Sequence, residues 1–244
     1  MIKKIIKKLL KRWGYEIVKG PAGQIDSRFI LALFFYNTSN DFFFVQVGAN
    51  DGKKNDPLYD FVIKYNLSGL LIEPQKDSFD KLRQNYGTRN NLIFENVAIA
   101  QTTGYKNLYA IKKDFQDIFE EKTGSNPSGM SSFNKDHVLK CLYKGGGSAD
   151  WIEEISVQTM SFDDLFQKHG IQKIDLLQID TEGFDFEIIK MFDFAKYSPK
   201  IINYESVHLE KGDRAECEFF LRNKGYNLYN TQENTCAIKL DIPS

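Results

Sequence analysis

The sequence predicts an α/β protein with a doubly wound, mostly parallel seven-stranded sheet and an antiparallel strand at its C-terminal end. Three observations carry this expectation. Apolar β-like runs alternate with helical patterns from about residue 42 to 240, the order that builds parallel sheets with helices on both faces. The run Phe42–Val47 opens onto a turn of small residues, Gly48-Ala49-Asn50-Asp51-Gly52, and a second run, Leu70-Leu71-Ile72, ends on Glu73 and Pro74. The last two β-like runs, Tyr226–Tyr229 and Ala237–Leu240, are joined by a loop too short for a crossover, so they pair antiparallel.

The elements follow in order. Gln24–Asn37 has helical periodicity through Ile25, Phe29, Ile30, Leu33 and Phe34. After strand Phe42–Val47, a helix is expected over Asp56–Tyr65 with Pro57 at its first position. Strand Gly69–Ile72, helix Ser78–Tyr86 and strand Leu92–Glu95 come next, then Asn96-Val97-Ala98-Ile99 and an alternating run, Tyr105–Ile111, that reads as an extra strand. Residues 112–150 are polar and rich in glycine (Gly124, Gly129, Gly145-Gly146-Gly147), which marks an insertion. Ile155–Thr159 is β-like. Ser161 suits the N-cap of a helix running to His169, with Asp163 and Asp164 in its first turn and Gly170 at its end. Ile174–Ile179 and Lys200–Ser206 are strands; Phe184–Met191 and Ala215–Asn223 are helices, the latter stopped by Gly225. The chain divides into an N-terminal helical extension (1–39) and one domain (40–244) that carries the 112–150 insertion.

Residues 42–74 form one β-α-β unit with a tight turn after its first strand and a carboxylate after its second. Nucleotide-like cofactors are held by this arrangement, the glycines admitting the ligand and the acid taking the ribose hydroxyls. The spacing here is G-x-x-x-G, not G-x-G-x-x-G, with Asn50 in the middle and Asp51 adding negative charge. A pyrophosphate is disfavoured by that charge, whereas S-adenosylmethionine, with a sulfonium, an ammonium and a ribose diol, fits it. A plain strand–helix connection remains the structural alternative.

Hydrophobic content of 42% is enough for a sizeable core, and a net charge of −1 gives no global basic field of the kind that draws nucleic acid. The three cysteines, Cys141, Cys217 and Cys236, are far apart and show no C-x-x-C spacing, so neither a disulfide framework nor a zinc site is expected. A reducing, cytoplasmic compartment follows. There is no apolar run of 18 residues, hence no expected membrane span. Residues 1–13 are distinctive: Ile2, Ile5, Ile6, Leu9, Leu10 and Trp13 share one helical face, among Lys3, Lys4, Lys7, Lys8, Lys11 and Arg12. They lack the continuous apolar stretch and cleavage site of a signal peptide. Two readings stand: an interfacial helix on anionic lipid at the inner membrane face, or a helix packed on the domain.

In open α/β sheets, ligands bind beyond the carboxyl ends of the strands. The polar residues there are Asp180-Thr181-Glu182-Gly183, Glu205-Ser206 with His208 just past them, and Asn96-Val97-Ala98. Asp180 or Thr181 also suits a helix N-cap, and His208 alone reads equally as a surface histidine or a base.

Taken in order, these motifs resemble the FkbM-like class I S-adenosylmethionine-dependent methyltransferases, a Rossmann-like family. The resemblance rests on Phe44–Gly52, Ile72-Glu73-Pro74, Asn96–Ile99, Ser131-Ser132-Phe133, Met160–Leu165, Ile174–Gly183 and Pro199–Glu205, and spans about residues 40 to 240. Gln46 departs from it where an acid is common, and Gln178 where lysine is common. The resemblance implies S-adenosylmethionine as cofactor and O-methylation of a hydroxyl on a sugar or natural product, a cell-surface glycan precursor among the candidates. It implies cofactor contacts at Gln46, Gly48, Asn50, Asp51, Glu73, Pro74, Val97, Ala98 and Asp180, and substrate contacts at Ser132, Glu182 and Glu205. Asp180 and His208 are the candidate bases; Asp180 has the better-supported position and His208 the more suitable ordinary pKa, about 6.5. No metal is expected, since a metal-assisted variant on Asp180 and Glu205 lacks supporting ligand spacing. The competing functions are a nicotinamide-dependent oxidoreductase, disfavoured by Asn50 and Asp51, and a non-catalytic module that keeps the cofactor fold.

Overall fold

The computed structural model describes Leu31, residues 41–231 and residues 233–239. The helices expected over residues 1–13 and 24–37 lie outside this range apart from Leu31, which is helical and buried.

The first apolar run forms β1 (Phe43–Val47), buried from Phe44 onward, and the second forms β2 (Ser68–Ile72), paired parallel with Val47 opposite Ile72. Between them lies α1 (Tyr59–Tyr65). It starts three residues later than the expected Asp56, and Pro57 is outside it. Asp56 is the cause: its Oδ1 accepts the backbone N–H groups of Leu58 (2.6 Å) and Tyr59 (3.1 Å) and holds the chain in a turn before the helix. Helix α2 (Lys76–Tyr86) leads to β3 (Leu92–Glu95), parallel to β2. Farther on, α5 (Phe162–His169), β7 (Leu176–Ile179), α6 (Asp185–Met191), β8 (Ile201–Glu205), α7 (Lys211–Asn223), β9 (Asn227–Asn230) and β10 (Asn234–Ile238) complete the main layer. Helix α5 is capped as expected: the Ser161 hydroxyl accepts from Asp164 N, and Gly170 ends it at φ +65°. Helix α7 starts earlier than expected, at Lys211, and its cap is Lys224, with Gly225 following at φ +87°.

The seven strands lie in the order β3-β2-β1-β7-β8-β10-β9. The first five are parallel; β10 is antiparallel to both β8 and β9. One face of the sheet packs Val45, Val47, Leu177, Ile179, Ile202 and Tyr204 against Phe162, Phe166, Phe186, Ile189 and Leu221 of α5, α6 and α7. The other packs Phe44, Leu71, Leu176 and Ile201 against Leu58 and against Phe61, Val62, Phe79 and Leu82 of α1 and α2. Alternation along each strand sends successive side chains to opposite faces, so both faces are covered and the fold is doubly wound.

The extra strand belongs to a second sheet. Strands β4 (Ala98–Ile99), β5 (Gly104–Ile111) and β6 (Ile152–Met160) lie in the order β4-β6-β5, with β5 and β6 antiparallel along their length. Most of the insertion is helical: α3 (Lys113–Thr123), a 3₁₀ turn at Pro127–Met130, and α4 (Lys135–Lys144). Phe119 and Leu142 bury against Ile111 with Met130 and Trp151 beside them, a small core separate from the main one.

Candidate active site

Strand order reverses between β1 and β7, the position at which open α/β sheets leave a crevice. The backbone is drawn tightly together there: Gly48 N donates to Ile72 O and Asp180 N to Val47 O, both at 3.0 Å. Gly48 has φ +78°, and a Cβ on it would lie 1.8 Å from the carbonyl oxygen of Asp180. Its lack of a side chain therefore serves the contact between two strand ends. The expected reason, room for a ligand, comes second to that.

A cleft opens at this point. Val47, Gly48, Asn50, Ile72, Glu73 and Pro74 form one wall; Val97, Ala98, Ile99 and Leu108 form the second; Asp180, Thr181, Glu182, Phe184 and Ile188 form the floor. The insertion supplies the roof with Ser128, Gly129, Ser131, Ser132 and Phe133. Gln75 ties the roof down, its Nε2 donating to Ser128 O (2.6 Å) and Ser131 Oγ (2.9 Å). Ser132 is buried and bridges to Tyr109 through both backbone groups. Asn96 Nδ2 donates to the carbonyls of Glu73 (2.8 Å) and Pro74 (3.0 Å), fixing the end of β2.

Glu73 is 4% exposed, and each carboxylate oxygen accepts one backbone N–H, Oε2 from Asn50 (2.9 Å) and Oε1 from Gln75 (2.8 Å). Burial outweighs those bonds and pushes its carboxyl up to about 7. A carboxylate has about four lone-pair sites; two are engaged, which leaves acceptor capacity toward the cleft. That orphaned capacity, beside an apolar wall, fits a ribose diol and its attached base.

Not every expected residue reaches the cleft. Gln46 lies on the opposite face of β1, where its Nε2 donates to Asp56 Oδ2 at 2.9 Å and its Oε1 is buried without a partner. Asp51 turns its carboxylate back onto the N–H groups of Lys53 and Lys54 (2.8 Å each). The negative charge expected to greet a cationic ligand is thus spent within the turn. The remaining expected residues, His208 and Glu205 excepted, line the cleft.

His208 and Glu205 lie beside the floor in a cluster of acids and imidazoles. His208 Nδ1 is 2.8 Å from Glu205 Oε2 and 3.0 Å from Glu182 Oε2. His137, from α4, brings Nε2 to 3.8 Å from Glu182 Oε2 and 3.5 Å from Cys141 Sγ. The two imidazole rings meet edge to face, 5.3 Å between centroids. The close carboxylates of Glu182 and then Glu205 push the His208 imidazole up to about 11; the contact with Cys141 and then the nearby Glu182 raise His137 to about 9. Burial opposes ionisation of Glu182, but the two imidazoles outweigh it and hold this carboxyl below its usual range. Asp180 is open to the cleft on one side and enclosed by protein on the others. That enclosure, then the charges of Glu205, Glu182 and Asp185, raise its carboxyl well above the usual value. Asp185 is buried below it, bound to Thr181 N and Oγ1 and to Glu205 N, and burial raises it to about 7.

His137 is the site residue that sequence reasoning missed. It comes from the insertion, far from any strand end, and no motif surrounds it. The chain has three histidines, and that two of them meet here is visible only in the fold.

The family model for the methyltransferase FkbM domain matches residues 46–228. No curated protein sequence matches the chain. Among solved structures it is similar to the fibrillarin/Nop5p complex (12% identity over 86% of this chain and 79% of that one, TM-score 0.42). It is also similar to human methyltransferase 10 domain containing protein (10% identity, 97% and 95% covered, TM-score 0.41). A third is precorrin-6y C5,15-methyltransferase from Geobacter metallireducens GS-15 (11% identity, 91% and 92% covered, TM-score 0.41).

Proposed function

The chain belongs to the FkbM methyltransferase family, with S-adenosylmethionine as its cofactor, and from that premise we propose that it methylates a hydroxyl of a carbohydrate or related natural product. The family match sets aside the oxidoreductase alternative. The observation that carries the proposal is Asp180: it faces the cleft from the floor, and its carboxylate takes no hydrogen bond from any described residue.

When bound, the cofactor supplies an electrophilic methyl group on a sulfonium. The chain then has to hold the donor, align the hydroxyl and remove one proton. Glu73 accepts the ribose hydroxyls. Gly48 and Asn50 would line the donor's place in the cleft, and Pro74, Val97 and Ala98 would offer the base an apolar wall. Asp180 takes the hydroxyl proton as the oxygen attacks the methyl. His208, already holding a proton between two carboxylates, orients Glu182 and Glu205 against the acceptor, while Ser132 closes over it from the roof. The working location is the cytoplasm, with residues 1–13 resting on the inner face of an anionic membrane.

The test is incubation of the full chain with methyl-labelled S-adenosylmethionine and a small-molecule and glycan extract, read by mass spectrometry. The expected product is a methyl ether. Asp180→Asn should lower turnover by about 10²–10⁴-fold, the usual worth of a general base, with S-adenosylhomocysteine affinity little changed. A label on nitrogen or carbon, or full turnover in the variant, overturns the proposal.

A further inference from the structure

We propose that His137, Glu182 and His208 form a binding site for a borderline divalent cation such as Zn²⁺ or Co²⁺, set against the cofactor cleft. Their ligand atoms lie within 4.8 Å of one another. The Glu182 oxygen stands 3.0 Å from His208 Nδ1 and 3.8 Å from His137 Nε2. Metal–ligand distances of about 2.0–2.2 Å place tetrahedral ligand atoms roughly 3.3 Å apart, so the observed spacings straddle the required one. A small inward shift closes the site.

Two further observations point to a cation. Glu182 Oε2 is buried and makes no hydrogen bond of good geometry, although it stands 3.0 Å from His208 Nδ1, which lies closer still to Glu205 Oε2 at 2.8 Å. This orphaned acceptor faces both imidazoles. Second, Asp180, Glu182, Glu205 and Asp185 crowd together, and among the described residues no lysine or arginine forms an ion pair with any of them. The two imidazoles are the cationic partners at hand. A divalent ion held by the two imidazoles and Glu182 neutralises acidic charge that no lysine or arginine of the described residues meets.

Ligand chemistry selects the ion. Two imidazoles and one carboxylate suit Zn²⁺, Co²⁺ and their neighbours; Mg²⁺ and Ca²⁺ prefer all-oxygen sets. Asp180 and Glu205, which share a second ligand-distance group with Glu182, complete the sphere or accept from ion-bound water. Gly183, at φ +84°, makes the site possible, since even a Cβ would lie 3.1 Å from the His137 ring and 3.3 Å from the His208 carbonyl. Glu182 lines the cofactor cleft and Gly183 lines a second groove beside it, together with Phe133 and Leu209. An ion here has open positions for an acceptor that carries two neighbouring oxygens, such as a vicinal diol. That role rests on the methyltransferase reading; the binding site itself does not.

The test is titration of Co²⁺ into the metal-stripped full chain, read by its visible d–d absorption, with S-adenosylhomocysteine binding measured on the same samples. The expected result is one equivalent bound, with a spectrum of nitrogen and oxygen ligation. His137→Ala and His208→Ala should each weaken Co²⁺ by at least about 100-fold, the upper end of what loss of an outer-shell partner costs. His169→Ala, at the distant Glu95 contact, should leave the spectrum unchanged. Glu182→Gln, which conserves volume, should also lose it and covers the case of a histidine variant that fails to fold. No bound Co²⁺, or a spectrum that survives in Glu182→Gln, overturns the site. Loss of S-adenosylhomocysteine binding in the unaltered chain would instead strike at the cofactor reading.

Discussion

At the scale of single residues, the proposed role of Glu73 is to hold the cofactor ribose. Its carboxyl titrates near 7 because it is buried. Ribose hydroxyls donate to the ionised form, so ligand binding lowers that pKa, and the affinity gained is present above pH 7. As pH falls below about 7 the free protein takes up a proton that the complex must release, and affinity falls, by up to tenfold for each unit of pKa the ligand removes. Calorimetric titration with S-adenosylhomocysteine at pH 6 to 8.5 should show this rise, and Glu73→Gln should flatten it and weaken binding about tenfold or more, since hydrogen bonds to charged groups contribute roughly 1.5–3 kcal/mol. A pH-independent affinity, or an unchanged dissociation constant in the variant, contradicts the role. The places of Glu73, Gly48 and Asp180 in the cleft wall were legible in the sequence because each ends an apolar run, and strand ends are where open sheets leave their crevice. The side-chain direction of Gln46 and Asp51 was not legible. Gln46 turned to the far face by the two-residue period of its strand, and Asp51 was drawn into its own turn by two free backbone N–H groups.

At the scale of elements, the strands agree with their apolar runs to within a few residues. Helix starts were less legible, as Asp56 shows by holding back α1. The insertion was the largest miss. Its glycines read as irregular chain, yet they sit where helices pack closely: a Cβ on Gly145 would lie 2.4 Å from the Phe119 ring, and one on Gly147 would lie 2.8 Å from Leu142. The i, i+4 pairs Phe115/Phe119 and Val138/Leu142 were the overlooked helical signal. The roof they support is fastened to β2 through Gln75. Gln75→Ala removes two hydrogen bonds worth about 0.5–1.5 kcal/mol each. It should speed amide exchange across residues 126–134 while leaving β1 and β7 protected, and weaken S-adenosylhomocysteine several-fold. Unchanged exchange in that segment would mean the roof is held by its own small core alone.

At the scale of the whole molecule, the strand order puts Gly48, Glu73, Asp180 and Glu205 at one end of the sheet. Reversal between β1 and β7 opens the cleft, β8 brings Glu205 and His208 alongside, and the second sheet with the insertion covers it. Among the described residues no helix is long and apolar enough to cross a membrane. The proposed membrane contact of residues 1–13 is a separate matter, in which basic residues near anionic lipid would contribute about 1 kcal/mol each. Removal of these residues should abolish sedimentation with phosphatidylserine vesicles at low salt and leave S-adenosylhomocysteine binding intact. A full-length chain that ignores such vesicles rules out the interfacial reading, and a truncated chain that loses its fold shows that the helix packs on the domain.

The most direct test of the account is the position of S-adenosylhomocysteine in an experimentally determined complex with the full chain. The account predicts the ribose hydroxyls within about 2.6–3.2 Å of the Glu73 carboxylate, hydrogen-bond range, the base between Pro74 and Val97–Ala98, and the sulfur turned toward Asp180. A ligand that leaves Glu73 uncontacted, or that lies in the second groove by Asn134 and Asp213, would contradict it.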